Sequence, residues 1–372
     1  MNLRCLLVFC AFLPALLTPM NAATEPRATT VWTPLADLPF KDGLAGPYVG
    51  ISGGMLIVAG GANFPIKPGD DLWQAKKVWH ADAYVLPVAD GPSAAWKTGF
   101  SLGRPGGYGA VVTTEHGIVC LGGNDATTTF ADCFLLYWDT AESRLLQISL
   151  PALPRPSVYG AAALIGDTVY LVGGQTGEGP ETATNSLYAL DFSKMKAGGA
   201  DFVWQELPPL PGPARAFNLT VAQHNGFEDC LYVMSGRRQL PDGQTEALQD
   251  VWEYSPSKKS WRERHATPLA LMAGTGAPFG PSHLLILSGA DAANMNKVDQ
   301  LKDAHPGFPR QAWAYHTITD TWAPAGDIPA NQVTTTAVPH EGSIYLASGE
   351  IRPRVRTDKV WQIKPVPAVN QP

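Results

Sequence analysis

Charged side chains are scarce in this sequence. Only 16% of its 372 residues are Asp, Glu, Lys or Arg, whereas 45% are hydrophobic; an average soluble domain has about 25% charged residues. Disordered chains show the opposite balance, so the composition predicts a folded protein. The 27 Lys and Arg residues are outnumbered by 33 Asp and Glu residues, which gives a net charge of −6. This balance argues against a nucleic-acid partner, because binding to phosphates needs a basic surface.

Long hydrophobic runs are missing after the first two dozen residues. An apolar run over residues 5–17 follows Arg4 and precedes the small residues Ala22 and Ala23, which is the pattern of a cleaved secretory signal peptide. No later run approaches the roughly 20 residues that cross a bilayer. We therefore expect residues 1–23 to be a signal peptide, residues 24–372 to form one domain without a membrane span, and the protein to be periplasmic or secreted.

Cysteine is rare as well. Cys5 and Cys10 belong to the predicted signal peptide, which leaves Cys120, Cys133 and Cys230. An odd number of cysteines in strand-like segments predicts buried, small apolar side chains rather than a disulfide scaffold. A bridge between Cys120 and Cys133 on neighbouring strands is the alternative.

The sequence is rich in Gly, Pro and Trp, with 37, 33 and 11 copies. An apolar strand that ends in Gly-Gly or Ser-Gly recurs six times, and the pairs begin at residues 60, 122, 173, 235, 288 and 348. The copies thus lie 51 to 62 residues apart, close to the roughly 50 residues of a kelch propeller blade with insertions.

Five of the six repeats contain four strand-like segments. A strand of small residues precedes the glycine pair, a strand with aromatic residues follows it, and a fourth segment often begins at a Trp, as at Trp96, Trp204, Trp261 and Trp322. Four antiparallel strands make one propeller blade, so we predict an all-β, six-bladed kelch-type propeller. The sixth repeat lacks its fourth strand, and residues 31–39 at the other end carry the Trp-to-Pro pattern that would supply it. We expect this N-terminal strand to close the ring, because an open edge would invite aggregation.

Loops after the glycine pairs and segments before the inner strands should share one mouth of such a ring. The residues after the pairs are Ala62, Asn124, Gln175, Arg237, Ala290 and Glu350, and Arg104, Arg155 and Arg215 precede inner strands. Several arginines at the mouth of an acidic protein favour a small anionic ligand that accepts bidentate hydrogen bonds. We expect ligand contacts from Arg104, Arg155, Arg215, Arg237, Asn63, Asn124 and Gln175.

The segment SGEIRPRVRTDKVW, residues 348–361, resembles the N-acetylneuraminate epimerase (sialic acid mutarotase) family of kelch proteins. GLAGPYVGIS at 43–52, IVAGGANF at 57–64 and LGRPGGYG at 102–109 match further blocks of that family. In familiar members these blocks follow the blade with the Glu and the Arg, whereas here they precede it. The order is that of the cyclically permuted mutarotase subgroup, which would keep the same site because the first and last blades of a ring are neighbours.

The resemblance implies a cofactor-independent isomerase that interconverts the α and β anomers of sialic acid, with Glu350 and Arg356 as catalytic residues. Glu350 is a natural general base for the anomeric hydroxyl. Arg356 is better suited to binding the substrate carboxylate, because a guanidinium stays charged. Asp291 is the next candidate for the base. Water or the protonated Glu350 would supply the proton for the ring oxygen.

Other interpretations remain open. Glu350 could cap a turn and pair with Arg352, Arg354 or Arg356, and the arginines could brace loops. A kelch propeller that only binds a protein or a glycan is the main functional alternative, because fold alone does not decide function. A copper oxidase is a third class, but the sequence offers no convincing Tyr, His and Cys ligands for copper, and the eight histidines have no metal-ligand spacing.

Overall fold

The structure is a computed structural model that describes residues 28–197 and 201–367. The predicted signal peptide, residues 1–23, lies outside these described residues. Within them, no helix is both long enough and apolar enough to cross a membrane.

Six four-stranded antiparallel sheets form the blades, which confirms the predicted six-bladed propeller. The strands of blades 1 to 3 are Tyr48–Ser52, Met55–Ala59, Asp82–Pro87 and Lys97–Ser101; Ala110–Thr114, Gly117–Leu121, Cys133–Asp139 and Arg144–Leu150; and Ala161–Ile165, Thr168–Val172, Leu187–Asp191 and Gln205–Leu207. Those of blades 4 to 6 are Leu219–His224, Asp229–Met234, Val251–Ser255 and Ser260–Arg264; Leu271–Phe279, His283–Asp291, Gln311–His316 and Thr321–Asp327; and Ala337–His340, Ser343–Ala347, Val360–Pro367 and Ala28–Pro34.

The remaining elements lie in loops. Three small hairpins follow the second strands of blades 1, 4 and 6: Ala62–Asn63 with Val78–Trp79, Arg237–Gln239 with Thr245–Ala247, and Glu350–Arg352 with Val355–Arg356. The 3-10 segments are Leu72–Gln74, Val88–Ser93, Pro180–Thr182, Phe192–Ala197, Ala292–Lys297 and Lys302–Ala304, and one α-helical turn covers Val298–Leu301.

A closed ring of six backbone hydrogen bonds encircles the propeller axis. In each blade, a residue just before or at the start of the inner strand donates its N–H to the carbonyl of the equivalent residue in the preceding blade. The donors and acceptors are Tyr108 to Gly46, Tyr159 to Tyr108, Phe217 to Tyr159, Ala273 to Phe217, Thr334 to Ala273 and Gly46 to Thr334, at 2.6 to 2.9 Å. All six residues have positive φ. The last bond joins blade 6 to blade 1, so the blades complete one turn.

The apolar core lies between neighbouring blades rather than at one centre. Every residue of the second strand is buried in blades 1, 2 and 6. Ile57 of blade 1 packs with Ile118 and Trp138 of blade 2, and the other blade interfaces repeat this arrangement. Leu56 of blade 1 likewise belongs to the same cluster as Tyr345 of blade 6, so the first and last blades share a core.

Tryptophans in or just before the fourth strands link successive blades. The indole N–H of Trp204 donates to Pro151 O of the preceding blade at 2.9 Å, and Trp261 and Trp322 make equivalent bonds to Pro208 O and His265 O. Trp96 of blade 1 donates at 2.9 Å to Ala36 O, just after the N-terminal strand. The N-terminal segment therefore occupies the position that a Pro-rich turn has in the other blades.

The N-terminal strand pairs antiparallel with Val360–Pro367 and forms the outer edge of blade 6. It covers Ala28–Pro34, not residues 31–39 as the pattern indicated. Leu35 and Leu38 add only single bonds, donating to Val360 O at 2.9 Å and to Asp358 O at 2.7 Å. The contribution of this strand to holding the ring closed remains a prediction.

Glycine is required at Gly123 of the second repeated pair. Its φ is +104°, and a Cβ at this position would lie 2.3 Å from the Tyr48 hydroxyl and 2.6 Å from Gly107 O. The Tyr48 hydroxyl donates to Gly122 O at 2.8 Å. The glycine pair thus lets the second strand turn sharply onto the mouth of the ring.

The three cysteines outside the predicted signal peptide are all free and buried. This confirms their interpretation as small apolar side chains and excludes the alternative bridge between Cys120 and Cys133. Burial raises the pKa of the Cys133 thiol to about 12, so it stays protonated and unreactive near neutral pH.

Candidate active site

The residues after the six glycine pairs surround one mouth, as their position in the repeat predicts. Each pairs through its backbone with the residue just before a member of the hydrogen-bonded ring. The pairs are Ala62 with Ala45, Asn124 with Gly107, Gln175 with Val158, Arg237 with Ala216, Ala290 with Met272 and Glu350 with Val333. The backbone register therefore sets the side chains of Asn124, Gln175, Arg237 and Glu350 around one axis.

The mouth is asymmetric because the ring residues differ in size. Tyr108, Tyr159 and Phe217 form an aromatic wall on one half, with ring centroids 5.3 Å apart in the first pair and 4.2 Å apart in the second. The equivalent residues on the other half are Gly46, Ala273 and Thr334, which leave space. A cleft of about 290 Å³ opens on that side, lined by Arg237, Met272, Asp291, His305, Phe308 and Glu350 among others.

Glu350 begins the hairpin of blade 6 and lies opposite Arg356 in its register. One carboxylate oxygen, Oε1, accepts the backbone N–H of Arg354 at 3.0 Å. The other, Oε2, lies 3.4 Å from Arg356 Nη2. Glu350 thus caps the turn and faces the cleft at the same time, so one oxygen fixes the carboxylate while the other faces the arginine.

The guanidinium of Arg356 has unfilled donors. Its side chain is 3% exposed, and neither Nε nor Nη1 has a hydrogen-bond partner among the described residues. Its Cζ lies 4.7 Å from the centre of the Phe64 ring. Buried donors without partners are costly, so this arrangement favours a ligand that accepts hydrogen bonds at Arg356.

Tyr108 lies beside this pair and was not identified from the sequence as a functional residue. Burial raises the pKa of its hydroxyl well above the ordinary value, although the charge of Arg356 acts in the opposite direction. A side-chain hydrogen bond with Arg356 also acts to lower this pKa, but burial outweighs it, so the phenol stays protonated at neutral pH.

Arg237 lies on the same mouth, as predicted. Its Cζ is 4.7 Å from the centre of the Phe217 ring, and Nη2 is 3.5 Å from Gln175 Oε1. Its Nε is buried and has no hydrogen-bond partner within residues 28–197 and 201–367. Burial lowers the pKa of Arg237 from its ordinary value, but a guanidinium stays protonated in proteins. Arg237 is thus a second buried cation that faces the cleft of Glu350.

The three predicted amides are buried and largely occupied by protein partners. Gln175 Nε2 donates to the carbonyls of residues 177–179 at 2.9 to 3.3 Å. Asn124 Oδ1 accepts from Trp79 Nε1 at 3.2 Å. Asn63 Oδ1 is 2.8 Å from His80 Nε2, and its Nδ2 has no partner among the residues described. These bonds hold the loops of the mouth in place.

Arg104, Arg155 and Arg215 do not join this group. Arg104 stacks 3.6 Å from the Phe130 ring centre and pairs with Asp132 at 2.5 Å in a separate groove. Arg155 is exposed in another cleft, beside blade 3. Arg215 is fully buried and bonded to Asp250. All three precede inner strands, but none of them lines the cleft of Glu350.

Arg215 is instead a brace at the junction of blades 3 and 4. Nη1 and Nη2 donate to the two carboxylate oxygens of Asp250 at 2.7 and 2.5 Å, and Nη1 also donates to Ser235 O at 3.0 Å. The Arg215 backbone bonds Gly174 and Thr184 of blade 3. Its Nε donates to Pro213 O at 3.1 Å, so every nitrogen of the guanidinium has a partner within the protein, and we now expect Arg215 to brace the two blades rather than to contact a ligand.

Lys77 is the other residue that sequence reasoning missed. It lies in the insertion between Asn63 and Val78, where no repeat spacing marks it. The described residues contain no group of three or more His, Cys, Asp or Glu side chains arranged to hold a metal ion.

Comparison with known proteins shows what the chain is similar to. The family model described as N-acetylneuraminate epimerase matches residues 150–306. The chain is similar to N-acetylneuraminate epimerases. The match covers blade 3, blade 4 and part of blade 5, where the sequence alone showed only the general repeat, and it ends before Glu350 and Arg356.

Individual proteins that resemble the chain are also named N-acetylneuraminate epimerases. The N-acetylneuraminate epimerase of Salmonella typhi is 26% identical over 236 residues, which cover 58% of each chain. That of Yersinia enterocolitica is 28% identical over 240 residues, or 58% of this chain and 57% of the relative. The chain thus spans somewhat under three fifths of the length of these relatives. A solved structure titled "Structure of YjhT" aligns with a TM-score of 0.62 at 13% identity, over 88% of this chain and 96% of the other, which supports the shared fold.

Proposed function

We propose that this protein is an isomerase that accelerates the interconversion of the α and β anomers of N-acetylneuraminate or a related carboxylated sugar. The observation that carries the proposal is the pairing of Glu350, a carboxylate on the cleft, with Arg356, a buried guanidinium whose Nε and Nη1 have no partner in the described part of the chain. A base and an anion-binding cation on one hairpin are what this reaction needs. The names of the similar proteins agree with it.

The reaction begins with removal of the proton from the anomeric hydroxyl. In this proposal Glu350 Oε2 takes that proton, while Oε1 stays bonded to the backbone of Arg354. The bond between the anomeric carbon and the ring oxygen breaks, and its electron pair goes to the ring oxygen, which takes up a proton. Rotation of the open-chain ketone and the reverse steps on its other face give the second anomer.

Arg356 binds the substrate and does not transfer a proton. Arg356 holds the substrate carboxylate, because a planar guanidinium pairs with a carboxylate through directional, charged hydrogen bonds. Protonated Glu350 or water returns the proton to the ring oxygen. Nothing is oxidised or reduced, so the chemistry itself requires no redox cofactor. A location outside the cytoplasm fits this role and rests on the predicted signal peptide at residues 1–23.

Proton NMR tests the proposal directly. α-N-acetylneuraminate freshly released by a sialidase converts spontaneously to the β anomer, and the added protein should increase that rate above the rate in buffer. Heat-denatured protein is the control. If the native protein adds nothing to the spontaneous rate, the proposal fails, and a propeller that only binds a protein or a glycan becomes the better account.

A further inference from the structure

Lys77 places an ammonium group on the mouth, close to three aromatic rings. Its Nζ lies 4.9 Å from the ring centre of Tyr108, 5.2 Å from that of Trp79 and 6.0 Å from that of Phe64. The described part of the chain supplies neither a hydrogen bond nor an ion pair to this nitrogen. Aromatic faces attract a cation, but they do not replace the acceptors that an ammonium has in water. The three donors of Lys77 are therefore open to a ligand.

The neighbouring guanidinium of Arg354, in contrast, makes hydrogen bonds within the protein. Its Nε donates to Leu72 O at 3.1 Å and its Nη2 donates to Ala75 O, and its Cζ stacks 3.8 Å from the Phe64 ring centre. Arg354 thus fastens the insertion of blade 1 onto the hairpin of blade 6. This contact holds Lys77 near the hairpin that carries Glu350 and Arg356.

Lys77 and Arg356 share the Phe64 ring, and both have donors without acceptors. Glu350 is the single carboxylate of this hairpin, and Lys77 from blade 1 adds its charge to those of Arg354 and Arg356. Burial lowers the pKa of Lys77, and the charges of Arg356 and Arg354 lower it further, against the opposite effects of Glu350 and Glu178. An anion bound here would relieve the repulsion between the two cations.

We propose that Lys77 forms, together with Arg356, the subsite that holds the substrate carboxylate and that Lys77 selects carboxylated sugars over neutral ones. The inference rests on the proposed function and adds a residue to it. A carboxylate has two oxygens, so it can accept from the ammonium and from the guanidinium at once. Once Arg356 pairs with the substrate carboxylate, it no longer needs Glu350 as its counter-ion. Glu350 Oε2 is then available to act as the base.

Calorimetric titration with N-acetylneuraminate and with its methyl ester tests the inference. Lys77→Met keeps the apolar stem and removes the charge. We expect it to weaken binding of the acid on the order of 10- to 100-fold, as for the loss of a charged hydrogen bond, and to leave binding of the ester unchanged. Lys77→Arg should recover part of the loss. Lys76→Met, which removes an exposed charge from the neighbouring position, is the matched control and should behave like the parent.

The outcomes separate this inference from the proposed function. If the parent binds the acid and accelerates anomer exchange, but Lys77→Met binds the acid as tightly as the parent, the role of Lys77 is wrong and the function stands. The same conclusion follows if Lys77→Met weakens binding of the acid and of the ester equally, because the ammonium then does not recognise the carboxylate. If the parent neither binds the acid nor accelerates exchange, both are wrong.

Discussion

Replacement of Arg215 by Met should destabilise the protein without changing the affinity of folded molecules for ligand. The Arg215 side chain is fully buried, whereas that of Asp250 is 21% exposed. The substitution removes both hydrogen bonds to the carboxylate and the bond to Ser235 O. Asp250 keeps only Trp252 Nε1 as a side-chain partner, at 2.7 Å. Removal of one member of a buried ion pair costs about 3–5 kcal/mol, and the partial exposure of Asp250 favours the lower end, about 3 kcal/mol.

The dependence of this loss on pH follows from Asp250. Burial alone would raise the pKa of Asp250, but the hydrogen bonds and charge of Arg215 outweigh it, so the pKa is lowered. A carboxyl group with a lowered pKa in the folded state stabilises the fold above its unfolded pKa of about 3.9 and loses that contribution as the pH falls through the folded value. The difference in stability between the parent and Arg215→Met should therefore be constant near neutral pH and should shrink below about pH 4.

Urea unfolding followed by tryptophan fluorescence measures the effect. Arg104→Met is the matched control: the Arg104 and Asp132 side chains are 48% and 63% exposed, and such pairs contribute about 0–1 kcal/mol. In the double variant Arg215→Met with Asp250→Leu, the charge left by the first substitution is removed and much of the loss should be recovered. An Arg215→Met protein that is as stable as the parent but binds sugar poorly would refute this reasoning and return Arg215 to the ligand site.

Three further predictions concern the ring and the mouth. Removal of the chain up to Pro34 exposes the edge of strand Val360–Pro367, so the truncated protein should unfold at a lower temperature and should associate. Thermal unfolding and size-exclusion chromatography measure this, and a truncated protein that stays monomeric and as stable as the parent would contradict it. Arg104→Ala and Arg155→Ala should leave the affinity for N-acetylneuraminate within about twofold by titration, because neither side chain reaches the mouth; a tenfold loss would contradict their placement. Arg356→Lys should lower affinity and catalytic rate together, since an ammonium cannot reproduce the planar fork; unchanged steady-state kinetics would remove Arg356 from the site.

The sequence predicted the fold well, because the residues that determine a propeller recur in each repeat along the chain. The glycine pairs mark a position where only a residue without a side chain fits, as at Gly123. Gly61, Gly174, Gly236 and Gly349 of other pairs also have positive φ, whereas Gly289 of blade 5 does not. The pair itself recurs once per blade, so the number of pairs gives the number of blades. The N-terminal strand was harder to delimit, since the Trp-to-Pro pattern continues through residues 35–38, where pairing is reduced to single hydrogen bonds.

The site was predictable only where the backbone fixes the side-chain direction. Arg237 and Glu350 follow glycine pairs in register and face the mouth. Arg215 lies in a connecting segment, where the direction of a side chain depends on tertiary partners such as Asp250. Lys77 lies in an insertion of blade 1, and its position depends on contacts with the hairpin of blade 6. Neither dependence is visible in a single sequence. The circular permutation relative to familiar family members remains a prediction from the order of the matched blocks.

The most direct test of the account is the anomer exchange rate of Glu350→Gln, measured by proton NMR as the increment above the spontaneous rate. The substitution keeps the size of the side chain and an oxygen to accept the Arg354 N–H, but it removes the base. Glu341→Gln makes the same chemical change at an exposed position of blade 6 and is the control. The account predicts that Glu350→Gln loses about 10²- to 10⁴-fold of the increment while titration shows affinity for N-acetylneuraminate close to that of the parent. A Glu350→Gln protein with the full increment would contradict the account and direct attention to Asp291 on the same cleft.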